Sequence, residues 1–305
     1  MPEVFQHDFM NRAIFASLLV GATAPAFGVF LVLRRLSLIA DTLSHVALAG
    51  VAIALLTKAA APFVALIATS TAAISIEELR QRRLLPGDAA LAVFLYGALA
   101  LAVVLISLAQ GFNTTLFSYL FGSVLTVSIL DILWMVGLAV VIVVFMVMFS
   151  SELAQITFDP DLAQTNGVRV HTLNLALAIL TGATITVSMR VVGVLLVGAL
   201  IVIPVLISLR IVNGLTRTVL ASSMVGVLMS ASGMIIAFYA DIAPGGSVVL
   251  TGISILTIVE LFAFASRWRN RHRVGLESFG YHKHGHESHA HGATGDGIHA
   301  DHTHR

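Results

Sequence analysis

Asp41 and His45 are the residues of this chain best suited to chemistry, and they stand four apart inside the apolar segment LVLRRLSLIADTLSHVALAG, residues 31–50. That spacing stacks a carboxylate and an imidazole on one face of a helix. Together they form an oxygen–nitrogen donor pair for a divalent cation. Zn²⁺ suits such donors, Mn²⁺ and Fe²⁺ are harder alternatives, and Cu(I) would want Cys or Met. His45 is the only histidine in any long apolar run. An aspartate held in hydrocarbon costs on the order of 3 kcal/mol, so its presence there points to function. The competing reading is structural: Asp41 folds back onto the Arg34–Arg35 pair, and His45 bonds a backbone carbonyl. Counted from the arginines at about 1.5 Å per residue, the pair lies roughly 9 to 16 Å into the bilayer. Ala49 and Ala52 continue the same face, with Ser44 and Gly50 close by, and small side chains let another helix approach. One pair supplies two ligands; two copies about a two-fold axis would supply four.

A second group of donors lies at the C-terminus. His282, His284, His286, His289, His291, His299, His302 and His304 alternate with Gly, Ala and polar residues. Such spacing offers two- and three-imidazole chelates for Zn²⁺, Ni²⁺ or Co²⁺ at neutral pH. Asp131 and Glu260 read as capping or structural carboxylates at the two ends of the membrane, and His171 reads as part of a loop.

The elements that must position these residues are membrane spans. The 305 residues are 58% hydrophobic and 11% charged, against about 25% charged in a soluble domain, which marks a polytopic membrane protein. Cysteine is absent, so thiolate sites and disulfides are excluded. A span needs roughly 20 apolar residues. Such runs fall near 13–33, 36–57, 60–76, 89–109, 130–150, 172–190, 191–209, 218–240 and 246–266, which makes about nine, with eight the alternative count. The segment LFSYLFGSVLTVS, residues 116–128, is apolar but short and broken by Gly122, so it reads as an interfacial helix. With the N-terminus outside and the C-terminus cytoplasmic, the inner side collects twelve arginines, Arg34, Arg35, Arg80, Arg82, Arg83, Arg169, Arg210, Arg217, Arg267, Arg269, Arg271 and Arg273. The outer side then keeps only Arg12, Lys58 and Arg190, and an odd number of spans is required. Residues 1–273 therefore read as a transmembrane domain and 274–305 as a disordered, histidine-rich cytoplasmic tail.

Some chemistry is absent. There is no G-x-x-x-x-G-K-[ST], and the only lysines are Lys58 and Lys283, so the chain has no P-loop. There is no H-E-x-x-H and no second Asp/His pair in another span. Uphill transport would draw its energy from a partner.

The motif R-R followed by D-x-x-x-H and a small-residue stretch, in LVLRRLSLIADTLSHVALAG, resembles the signature of the zinc/manganese/iron permeases of ATP-binding-cassette importers. LFSYLFGSVLTVS, FDPDLAQTNGVRVHTLN (158–174) and VVGVLLVGALIVIP (191–204) resemble further segments of that family, and the likeness covers roughly residues 10–266. The resemblance implies an all-α permease of a dimeric importer in the bacterial cytoplasmic membrane, without enzymatic activity of its own. It implies a second permease subunit, most simply an identical one, a cytoplasmic P-loop ATPase dimer, an extracytoplasmic metal-binding protein and surrounding lipid, and no nucleic acid. Asp41 and His45 would coordinate the ion in transit, and the ATPase would dock on the loop carrying Asp159, Pro160, Ala163 and Gly167. No cofactor is bound permanently; the cargo is a divalent cation, Zn²⁺ in preference to Mn²⁺ or Fe²⁺ because of the tail. A proton-coupled secondary carrier is the rival from another class. In the loop itself, Pro160 suits a helix start and Gly167 a helix end.

Overall fold

The apolar runs become helices because a backbone in hydrocarbon must satisfy its own N–H and C=O groups. The structure is a computed structural model that describes residues 8–82, 87–109, 114–123 and 127–281. Twelve helices follow in order: α1 (Asp8–Leu33), α2 (Leu38–Thr57), α3 (Ala61–Gln81), α4 (Gly87–Leu108), α5 (Thr114–Phe121), α6 (Ile129–Met148), α7 (Ser150–Phe158), α8 (Pro160–Thr165), α9 (Val170–Ser188), α10 (Val194–Ile211), α11 (Leu215–Ala240) and α12 (Pro244–Tyr281). No strand occurs among the described residues.

Eight of these helices are long and apolar enough to cross a membrane. The seventh expected run, α10, is helical over the 18 residues Val194–Ile211 and carries Pro204 in its interior. The expected short helix is α5, eight residues long, and the chain leaves it at Gly122 with φ +79°. α7 is an element the apolar pattern did not reveal. It restarts directly after Phe149 and buries only Leu153 and Ile156, three apart on one face, amid polar residues.

Within Met1–Val259, α2 lies against α3, α4, α9 and α10, while α1 packs on α10 and α11. The α1–α11 seam is built from small side chains. Ser222 Oγ donates to the Pro25 carbonyl at 3.4 Å. A Cβ on Gly226 would overlap the Gly21 carbonyl and come within 2.7 Å of Pro25 Cγ. Such close approach is how helices gain dispersion contacts where lipid is as apolar as leucine. The opposite situation holds on α6, where Val140, Val143 and Val147 are exposed from the chain as an apolar face suited to lipid.

Glu260–Arg305 forms a separate unit. Its described part is the continuation of α12 to Tyr281, so the helix runs past residue 274, where the composition changes. The eight tail histidines, His282 to His304, lie outside the described residues.

Candidate metal-binding site

α2 carries the site, and its starting point is set by the turn before it. α1 ends in a left-handed cap. Arg35 takes φ 58°, and the Leu36 N–H reaches back to the Leu31 carbonyl at 2.8 Å. This six-to-one bond satisfies an orphan carbonyl at the helix end. α2 then begins at Leu38, which puts Asp41 in its first turn. A negative charge is favoured there by the helix dipole. His45 follows one turn deeper, roughly 10 Å from the helix start. The pair thus sits in the half of α2 nearest the arginines.

Asp41 is exposed from the chain and His45 half-buried, whereas Thr42, Leu43, Ser44, Ala49 and Ala52 are buried. The Ser44 hydroxyl is spent on the Ala40 carbonyl at 2.9 Å, and Thr42 Oγ1 donates to the Leu38 carbonyl at 2.9 Å. The Thr42 hydroxyl also reaches the Leu91 carbonyl of α4 at 3.3 Å. His45 Nδ1 is buried and has no hydrogen-bond partner among the described residues. Asp41 has no ion-pair partner among them either: Arg34, the arginine best placed to reach it, donates from Nη1 to Asn174 Oδ1 on α9 at 2.6 Å. Burial holds the Arg34 guanidinium pKa below its ordinary value, Arg80 adds to that effect and Glu77 opposes it. The structural alternative, a carboxylate folded back onto the arginine pair, is therefore not what the side chains do. Among the described residues no group of three or more His, Asp or Glu side chains gathers to hold a metal ion. Among the described residues, this site offers two ligands per chain.

Gly198 of α10 completes the wall beside Asp41. A Cβ there would overlap Asp41 Oδ1, with Asp41 Cγ at 3.4 Å and its backbone N at 3.6 Å. The string VVGVLLVGALIVIP carries the trace of this in Gly198, five residues past Gly193 in a run of branched aliphatics, but nothing in the sequence says which helix it faces.

At the far end of α9 the other carboxylate is structural, as expected. Asp131 and Ser128 form a reciprocal capping box at the start of α6. Arg190 donates from Nη1 to both Asp131 oxygens, at 3.2 and 3.0 Å, and from Nη2 to Tyr119 Oη at 3.3 Å. Burial works against the Arg190 charge, but Tyr119 and Asp131 outweigh it and hold the guanidinium pKa above its usual value. The Ser123 N–H also donates to the Arg190 carbonyl at 3.0 Å. This knot ties α5, α6 and α9 together.

The loop residues singled out by sequence all have a defined place. The Asp159 side chain accepts from the N–H groups of Asp161 and Leu162, Pro160 opens α8, and Gly167 takes φ +82° just past its end. Ala163 is fully buried beside Ile156 and Leu173, and its carbonyl accepts from the Val168 N–H at 3.0 Å. His171 falls in the first turn of α9, with Nε2 3.9 Å from Glu78 Oε2. A polar cavity of about 620 Å³ opens between these elements, lined by Arg34, Glu77, Arg80, Asp161, His171 and Asn174 among others.

The sequence profile described as the ABC 3 transport family matches residues 6–264. The manganese import system permease protein ScaB of Streptococcus parasanguinis is 30% identical over 267 residues, covering 88% of this chain and 95% of the relative. The high-affinity zinc uptake system membrane protein ZnuB of Haemophilus influenzae is 32% identical over 260 residues, covering 83% and 98%. PsaBC from Streptococcus pneumoniae, solved in complex with Fab, superposes with a TM-score of 0.73 at 30% identity, covering 84% of this chain and 92% of that one. These relatives are permease subunits of ATP-binding-cassette importers rather than enzymes, and ATP hydrolysis resides on a separate subunit. A membrane-spanning helical bundle with no P-loop, matched by such a profile over nearly all its described length, belongs to the ABC 3 transport family as a permease subunit of the manganese/zinc type of importer.

Proposed function

We propose that this chain carries Zn²⁺ inward across the bacterial cytoplasmic membrane, along a path in which Asp41 and His45 hold the ion. The observation that carries this reading is a carboxylate and an imidazole one turn apart on α2, with Asp41 exposed and unpaired among the described residues and His45 Nδ1 lacking a hydrogen-bond partner. A second copy of the chain would bring two further ligands and complete a four-donor set. Docking of a cytoplasmic ATPase on the α8 loop, with an extracytoplasmic binding protein on the other side, would alternate access to that set. The N-terminus lies outside and the tail inside on this reading, with α10 as the ninth crossing that an odd count requires, and the arginines gathered at the α2 start and α9 start support it. The tail histidines would then meet the ion as it arrives. They also supply the preference for Zn²⁺, since imidazole-rich chelates favour it over Mn²⁺.

Mn²⁺ is the second reading, favoured by the oxygen donor of Asp41 and by the manganese names among the relatives. Uptake of labelled Zn²⁺ by the complex reconstituted with its ATPase separates the two. Saturable Zn²⁺ uptake that excess Mn²⁺ leaves intact supports zinc; Mn²⁺ uptake unaffected by Zn²⁺ overturns it. Normal uptake by both Asp41→Ala and His45→Ala would reject the site itself.

A further inference from the structure

Most close-packed glycines of this bundle meet backbone. A Cβ on Gly28 or Gly226 would run into a main-chain carbonyl of the facing helix, one on Gly245 into the Val192 carbonyl of the α9–α10 turn, and one on Gly233 into the Val248 Cα. Gly198 meets an acidic side chain. The three nearest atoms to its missing Cβ all belong to Asp41: Oδ1, which it would overlap, then Cγ at 3.4 Å and N at 3.6 Å. The space a methyl would take is occupied by a carboxylate oxygen. Gly198 is buried, and its neighbours Val197, Leu200 and Ile201 are fully buried, so the α10 wall has little freedom to retreat. The Asp41 side chain, exposed and without an ion-pair partner among the described residues, is the part that can move.

We propose that Gly198 is a positioning residue for transport: its bare Cα is the seat that aims the Asp41 carboxylate at the ion, and α10 is the second wall of the cation path. This rests on the reading that Asp41 is a ligand. A methyl at position 198 would rotate the carboxylate away from its seat while leaving the two helix backbones in place. Two ligands on one helix hold a cation only while both aim at one point, so a rotated carboxylate weakens binding even though the residue is still present. Alanine is also the better helix former, so Gly198→Ala should fold.

The test uses the complex reconstituted with its ATPase and Zn²⁺ as the probe. Gly198→Ala should raise the KM for Zn²⁺ uptake at least tenfold at normal expression. In the metal-free complex it should lower the Tm, and the same substitution in an Asp41→Ala background should not, because the oxygen it overlaps is gone. A wild-type KM overturns the proposal, as does an equal loss of Tm in both backgrounds, which would mean the methyl strikes the scaffold. If Asp41→Ala alone transports normally, the ligand reading has failed instead; if Asp41→Ala is dead while Gly198→Ala is normal, only the positioning role has.

Discussion

Arg34, in the turn that launches α2, donates to Asn174 on the second turn of α9 at 2.6 Å, so the helix bearing Asp41 is tied to the helix that follows the α8 loop. A charge-assisted hydrogen bond of this kind contributes about 1.5–3 kcal/mol. It links the segment where an ATPase would press to the start of the helix on which the ion would rest. Asn174→Ala should keep ATP hydrolysis by the assembled complex but lower the metal moved per ATP several-fold. Asn174→Asp, which retains the acceptor, should restore most of the coupling. A wild-type transport ratio in Asn174→Ala would remove the link from consideration.

The Asp41 and His45 substitutions should be non-additive. If both side chains hold one ion, losing either removes nearly all uptake, and the double variant is no worse than the singles. Expression and ATP hydrolysis should persist, since Asp41 is exposed and His45 only half-buried. Initial-rate uptake across the three variants measures this, and independent, multiplying losses would contradict a shared ion.

Arg190 and Asp131 should be coupled in stability. Their side chains are 30% and 15% exposed, so removing Arg190 leaves a carboxylate partly shielded from water. The cost of a fully buried orphan, about 3–5 kcal/mol, is reduced here by solvent to about half. Arg190→Ala should lower the Tm in detergent clearly more than Arg190→Ala adds in an Asp131→Asn background. Equal shifts in the two backgrounds would show the pair to be inert.

The α1–α11 seam should tolerate no added bulk. Gly226→Ala drives a methyl into the Gly21 carbonyl, and overpacking of this type costs about 1–3 kcal/mol. Folded yield after detergent extraction should fall, and fall further for Gly226→Leu. Unchanged yield in both variants would mean the helices separate more easily than their contact suggests.

Truncation after Tyr281 should leave membrane insertion and uptake intact and change only the response to metal concentration. The residues removed include all eight alternating histidines and few large apolar side chains. Loss of insertion, read by fractionation, would contradict a tail that stands apart from the transmembrane fold.

Much of this protein was legible in its residues taken in order. Spans follow from hydropathy because lipid leaves a backbone no partner but itself, and a four-residue spacing fixes a shared helix face without reference to any other helix. The D-x-x-x-H pair, the short α5, the Asp159–Pro160 helix start and the Gly167 helix end are all local, and each was readable for that reason. The α1–α2 turn, with Arg35 in a left-handed conformation, was not readable from the sequence. The partner of Arg34 on α9, the partner of Arg190 on α6 and the seat of Asp41 on α10 join residues 140, 59 and more than 150 positions apart. No periodicity along one helix encodes which face of another it meets. That choice is made by packing, where small residues permit close approach and side chains take whatever space the neighbouring helix leaves.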